Sequence, residues 1–273
     1  MKVVLASRGD LRCLLPCVFS VLIQEGVDRL AIYMTGEFPA FGDFYLEQML
    51  SLADIRGVRV EIIRAGKLPV RIVRDLMVTD NASEEFLWMI DDDVVLHPKS
   101  GEGILKMLEH SGKAAWKNIA AVTGLKADVN NRRGYPDFEI KELPLEAFEK
   151  GSYNCLYQMS PMEWFICNTL DTGNLVLNLK AVRDSGAVFQ PFKVSANSSG
   201  EDTLFAMQLI EKGFLLMKTN CFLAYHLEKD SKPFSEFAAR KEMLLRAQES
   251  LSIKDSNWQK EFMPAVETTT KQK

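Results

Sequence analysis

A chain of 273 residues, 47% of them hydrophobic, is long enough to bury a substantial core as one large α/β domain or as a domain with a lobe. Its net charge of -4 excludes a broad electrostatic attraction to nucleic acid or anionic membrane and leaves only a local basic groove for such contacts. Five cysteines, Cys13, Cys17, Cys155, Cys167 and Cys221, are odd in number and lack Cys-x-x-Cys spacing, which argues against a disulfide framework and a zinc cage.

In chain order, the apolar run Val3 to Ala6 reads as a strand that ends in the polar loop Ser7-Arg8-Gly9-Asp10. A helix from about Leu11 to Gln24 follows, terminating near Gly26, with Cys13 and Cys17 four residues apart as core residues. Met1 to Ala6 is too short for a secretory signal, and Leu11 to Ile23 carries Arg12, so a soluble, cytoplasmic protein without a transmembrane segment is expected. A second strand, Arg29 to Met34, leads into the turn Thr35-Gly36-Glu37. A helix from about Asp43 to Ala53 and a strand from Val58 to Arg64 come next. The spacing predicts a helix over Leu68 to Asn81, with Val70, Val73, Leu76 and Met77 on one face and Arg71, Arg74 and Asp75 on others.

Phe86-Leu87-Trp88-Met89-Ile90 then runs straight into Asp91-Asp92-Asp93, after which Val94-Val95-Leu96 is apolar again. Three adjacent carboxylates at the end of a buried strand repel one another and resist desolvation. A divalent cation or a set of donors compensates them more economically than water at a surface turn, where flanking Gly or Asn would be expected. Alternating strands and helices imply βαβ units, a mainly parallel sheet, and ligands at the carboxyl ends of the strands. The segments Ser7 to Asp10, Thr35 to Glu37 and Asp91 to Asp93 would all gather on that edge.

Beyond Pro98 a helix from about Gly101 to Ser111 and a strand from Ile119 to Gly124 are expected. Lys126 to Leu170 reads as a long irregular insertion, a lid or binding surface, with Tyr153, Tyr157 and Trp164 as stacking candidates and Lys126, Arg132 and Arg133 as candidates for touching phosphate in a nucleic-acid or lipid-linked acceptor. The pattern recovers at the strand Thr172 to Leu177 and a short helix starting near Leu179. Past the polar stretch Ser195 to Gly200, an amphipathic helix runs from Glu201 to Ile210. Strands Phe214 to Met217 and Phe222 to His226, a helix over Phe234 to Ser250 and a polar tail complete the chain. Asp202 opens its helix, where the helix dipole favours an ionised carboxylate; a capping box with Ser199 explains the same residue structurally. Carboxylates combined with the single imidazole of His226 suit Mn²⁺ or a similar ion better than calcium.

The order of Ser7-Arg8, Arg74-Asp75, Asp91-Asp92-Asp93, Thr172-Gly173-Asn174, Gly200-Glu201-Asp202 and His226 resembles the nucleotide-sugar glycosyltransferases of the GT-A fold, in particular the family 2 type. The resemblance spans Val3 to Leu227 and implies an α/β, Rossmann-like fold with an acceptor-side lobe. It implies a donor-binding half over residues 1–125, an acceptor-binding and catalytic half over 126–255 and a polar tail over 256–273. By the same resemblance, Asp91, Asp93 and His226 hold Mn²⁺ or Mg²⁺, and Asp202 is the general base of an inverting transfer. The nucleotide would lie against Ala6, Ser7, Arg8, Arg74, Asp91 and Asp92, with Gly173 and Glu201 completing the donor site. The chain departs from the family at Arg74-Asp75, where Arg-Asn is common, and at Ala6-Ser7-Arg8-Gly9, where Pro-Thr-Tyr-Asn is usual. A UDP-sugar is the donor implied, and the acceptor class is open among a saccharide, a protein, a small molecule and a modified nucleic-acid base. Three alternatives remain from the residues: a haloacid-dehalogenase-like phosphatase using Asp91 and Asp93, a nucleotidyltransferase on a related fold, although Ser7-Arg8-Gly9 lacks its Gly-rich phosphate loop, and a non-catalytic nucleotide or sugar binder.

Overall fold

The structure is a computed structural model and describes residues 1–37, 42–128, 164–167, 170–189 and 201–227. Its elements in order are β1 (Lys2–Ser7), α1 (Leu11–Leu22), β2 (Arg29–Met34), α2 (Gly42–Arg56), β3 (Arg59–Arg64), α3 (Val70–Asp80), β4 (Phe86–Asp91), β5 (Val94–Leu96), α4 (Ser100–Ala115), β6 (Ile119–Asp128), β7 (Trp164–Cys167), β8 (Asn174–Asn178), α5 (Leu179–Ser185), α6 (Glu201–Glu211) and β9 (Leu215–His226). The described strands form one sheet in the order β3-β2-β1-β4-β8-β6-β9-β5, with β7 paired to β9.

Period-two alternation divides each central strand between two cores. Val3, Leu5, Leu30, Ile32, Trp88 and Ile90 face one side, where α1, α2 and α4 cover them. Val4, Ala31, Tyr33, Leu87 and Met89 face the other, against Val73 and Met77 of α3, Val182 of α5 and Phe205 and Leu209 of α6. Strands buried on both faces read as unbroken apolar runs, and each such Leu or Val contributes about 1.5–3 kcal/mol. Trp88 is fully buried, edge-on to Phe222, and its indole N–H donates to Asn174 Oδ1 at 3.0 Å.

The parallel arrangement holds across β3, β2, β1 and β4. Past β4 it changes, because β8 runs antiparallel to both β4 and β6, while β6 and β9 are parallel to each other. The reversal determines the site. With Ile90 opposite Asn174, the amino-terminal end of β8 meets the carboxyl end of β4, and the carboxyl ends of β6 and β9 arrive at the same edge.

Three expectations are corrected. The two strands predicted over 214–226 are one strand, β9. Lys218, Thr219 and Asn220 read as a polar break but are buried; Lys218 and Thr219 stay in register with β6, and the pairing then skips from Thr219 to Leu223 across an irregularity that takes up Asn220. The irregular segment predicted from Lys126 contributes ordered strand at both ends, since β6 runs on to Asp128 and β7 pairs with β9. On α3 the faces differ from the apolar stripe: Val70 is exposed, whereas Arg71 and Arg74 are buried. Cys13 and Cys17 are buried on α1. Tyr153, Tyr157, Arg132, Arg133, the cap residue Ser199, the helix predicted over 234–250 and the tail lie outside the described residues, as does the side chain of Trp164.

Candidate active site

The triple-Asp segment is divided by the fold into three separate roles. Asp91 is the last residue of β4, opposite Ala6 of β1. Asp92 turns inward, 7% exposed, and accepts a 2.7 Å hydrogen bond from the Ser7 hydroxyl, whose oxygen accepts in turn from the Gly9 N–H at 3.0 Å. That clasp ties the loop after β1 to the acidic turn. The loop is also braced from outside, because a Cβ on Gly36 would stand 2.1 Å from the Arg8 carbonyl oxygen, a separation only glycine tolerates. Arg8 itself is exposed. Asp93 leads into β5, which pairs antiparallel with β9 so that Val94 lies opposite His226. Its carboxylate Oδ2 comes 3.7 Å from His226 Nε2, and its carbonyl accepts from the Leu227 N–H at 2.7 Å.

Arg74, one turn into α3, connects this segment to the distant helix α6. Its guanidinium donates to Asp91 Oδ1 at 2.8 Å and, through its other terminal nitrogen, to Glu201. Burial by itself would depress the guanidinium, but the charges of Asp91, Glu201 and Asp202 outweigh it and keep Arg74 protonated, above its ordinary range. Asp202 follows Glu201 at the start of α6 and accepts from the Thr203 N–H at 2.8 Å. Burial, then the neighbouring Glu201 charge, push its carboxyl up to about 6, against the opposing pull of Arg74. A carboxyl poised there can take a proton near neutral pH.

A second charged pair occupies the same edge, and the residue pattern did not disclose it. Asp171, in the approach to β8, binds Lys126 of β6 at 2.9 Å through Oδ1 and at 2.8 Å through Oδ2, and its Oδ1 also accepts from the Gly173 N–H at 2.9 Å. Burial would raise this carboxyl, yet Lys126, the Gly173 N–H and Lys218 more than compensate and hold it below the usual range. The only local signal was an Asp immediately before the small-residue strand entrance Thr172-Gly173. The structure therefore brings Asp91, Asp93, His226, Gly173, Glu201 and Asp202 to one edge with Ser7 and Arg74. Asp92, at the same edge, is engaged with Ser7, and Glu201 with Arg74, in holding the edge together.

Among the described residues, no three His, Cys, Asp or Glu side chains form a ready-made metal cage. Asp93 and His226 nevertheless suit a divalent ion. An ion with bonds of about 2.1 Å reaches two atoms up to about 4.2 Å apart, which spans their 3.7 Å separation. A carboxylate oxygen with an imidazole suits Mn²⁺ better than the all-oxygen preference of Mg²⁺, with positions left for ligand oxygens. The interaction with Asp93 raises the His226 imidazole, against burial and the Lys126 charge.

No family model matches the sequence, and no curated protein matches it. Solved structures do match in fold. GalNAc-T7, determined with UDP, GalNAc and Mn²⁺, superposes with a TM-score of 0.59 at 11% identity, over 84% of this chain and 44% of that one. The mannosyltransferase PcManGT from Pyrobaculum calidifontis, determined with GDP-Man and Mn²⁺, gives 0.55 at 9% identity, over 93% of this chain and 64% of its own. The chain thus spans less than two thirds of either protein. No described helix is long and apolar enough to cross a membrane. The sheet order, the reversal at β8 and these two superpositions together give the chain the GT-A glycosyltransferase fold.

Proposed function

We propose that the chain is a metal-dependent glycosyltransferase that moves a sugar from a nucleoside-diphosphate sugar, a UDP-sugar in the first instance, to an acceptor hydroxyl with inversion. One observation carries the reading: Asp202, raised to about 6, is joined through Glu201 and Arg74 to Asp91, on the same edge as the Asp93–His226 pair. A base whose helix is tied by a buried cation to the acidic strand, with an ion-binding pair on the same edge, matches a displacement at one carbon, where charge departs on one side and a proton leaves on the other. The solved neighbours, bound to UDP with GalNAc or to GDP-Man and in both cases to Mn²⁺, support the substrate class and leave UDP and GDP as the two donor bases to compare.

Asp93 and His226 would hold the ion, which supplies Lewis-acid stabilisation to the departing diphosphate. Asp202 removes the proton of the acceptor hydroxyl as its oxygen bonds to the anomeric carbon. The bond from that carbon to phosphate oxygen breaks, and the nucleoside diphosphate leaves with the electron pair. Arg74 keeps Glu201 and Asp91 paired, so that α6 presents Asp202 from a fixed position.

Calorimetric titration with UDP, GDP, CDP and inorganic phosphate, each with Mn²⁺ and with chelator, tests the proposal. Metal-dependent binding of one nucleoside diphosphate is expected. Asp93→Ala should weaken it, while Asp202→Asn should retain it and lose transfer by about 10²-fold or more. Equal loss of nucleotide binding in both variants contradicts the division of roles, and phosphate binding without nucleotide points to phosphatase chemistry.

A further inference from the structure

The Asp171–Lys126 pair is not used by the mechanism above. It stands at the same edge, and its placement is unusual for a structural ion pair. A Cβ built on Gly173 would lie 3.0 Å from Asp171 Oδ1, 3.0 Å from Asp91 Oδ2 and 3.1 Å from Lys126 Nζ. Three side chains from β4, β6 and the approach to β8 therefore converge on one point, and only the absence of a side chain at Gly173 leaves room beside it. The Asp171 and Lys126 side chains are 22% and 19% exposed, so the pair is shielded yet reachable. Asp171 also acts electrostatically on Asp202, and Lys126 on His226, so the pair shares the electrostatic environment of both groups.

Resting on the glycosyltransferase reading, we infer that Asp171 and Lys126 form the subsite that reads the hydroxyl groups of the transferred sugar. A sugar hydroxyl both donates and accepts. A carboxylate beside an ammonium offers it one partner of each kind, and a vicinal pair can use both at once. Gly173 contributes by keeping the sugar's approach to Asp91 and Asp171 open.

The two carboxylates on this edge divide the work by environment. Asp202 is raised and exchanges a proton, whereas Asp171 is held ionised by Lys126 and so remains an acceptor of hydrogen bonds throughout the reaction. A pair that served only to close the end of the sheet would return little net stability for its desolvation. Recognition of a polar ligand uses the same charges while they stay partly wet.

The test compares a nucleoside diphosphate with its sugar conjugates by calorimetry with Mn²⁺: UDP, UDP-glucose and its deoxy analogues, and GDP with GDP-mannose and its deoxy analogues. Wild type, Asp171→Asn and Lys126→Met are titrated, with Lys126→Arg as a variant that keeps the charge. The variants should bind the nucleoside diphosphate within about twofold of wild type and the sugar conjugate about tenfold or more weakly, the size of a lost charged hydrogen bond. In wild type, one deoxy analogue should show the same loss, and that loss should vanish in the variants. The Lys126 series and the deoxy analogues decide the matter even where Asp171→Asn does not fold. Parallel loss of nucleotide and conjugate affinity, or no loss of either, overturns the subsite. Failure of wild type to bind any nucleoside diphosphate instead overturns the glycosyltransferase reading, and the subsite with it.

Discussion

Replacing Arg74 with Met removes the cation between Asp91 and Glu201 and leaves the apolar stem in place. The two acids are affected unequally. The Glu201 side chain is 11% exposed and cannot regain water without moving α6, whereas Asp91 is 31% exposed and can. Breaking a buried pair typically costs about 3–5 kcal/mol, and the partial rehydration of Asp91 places this case near the lower end, about 3 kcal/mol. A domain of this size loses about 2–4 °C per kcal/mol, so Arg74→Met should lower Tm by about 6–12 °C. Thermal and denaturant unfolding of Arg74→Met, Glu201→Gln and the double variant form a cycle. If the ion pair is the cause, the double variant should be less damaged than the sum of the singles, with a coupling of about 1.5–3 kcal/mol. Additivity within about 0.5 kcal/mol would refute the reasoning, because it would mean that Arg74 and Glu201 act independently.

Asp202 should give transfer an acidic limb with a midpoint near 6, because only the ionised carboxylate accepts the acceptor's proton. The same shift makes a stability prediction: between 3.8 and about 6 the folded chain holds the extra proton, so stability present below that window is lost as pH rises through it. In Asp202→Asn that slope should flatten in pH-dependent unfolding, and an unchanged slope would assign it to other groups. Ser7→Ala removes the 2.7 Å bond to buried Asp92 and should cost about 1–3 kcal/mol in denaturant unfolding, with Ser7→Thr recovering part of it. Gly36→Ala forces the Arg8 carbonyl away from a 2.1 Å contact and should cost about 1–3 kcal/mol; a neutral result would show that the two loops separate freely.

Much of this architecture was legible in the chain because it is local. The apolar runs Val3 to Ala6 and Phe86 to Ile90 read as strands, and three carboxylates after the second mark a sheet edge. The alternation with helices places Ser7, Thr35 and Asp91 at the same end without any knowledge of packing. His226 and Asp202 were marked by position, at a strand end and a helix start.

What the sequence left undetermined depends on contacts between residues far apart along it. Arg74 meets Glu201 across 127 positions and Lys126 meets Asp171 across 45, and no periodicity signals a charge that will be buried because its partner arrives from another element. By helical pattern Arg74 is a polar-face residue; in the fold it is buried and links the start of α6 to the acidic strand. The direction of β8 was undetermined for the same reason, since an apolar run is equally stable in either orientation until neighbouring strands choose one. That choice brings Gly173 and Asp171 to Asp91. The chain by itself therefore specified most of the elements and the edge that gathers the acidic segment, while the tertiary structure decided which charges share that edge, because partner, burial and direction are properties of the packed sheet.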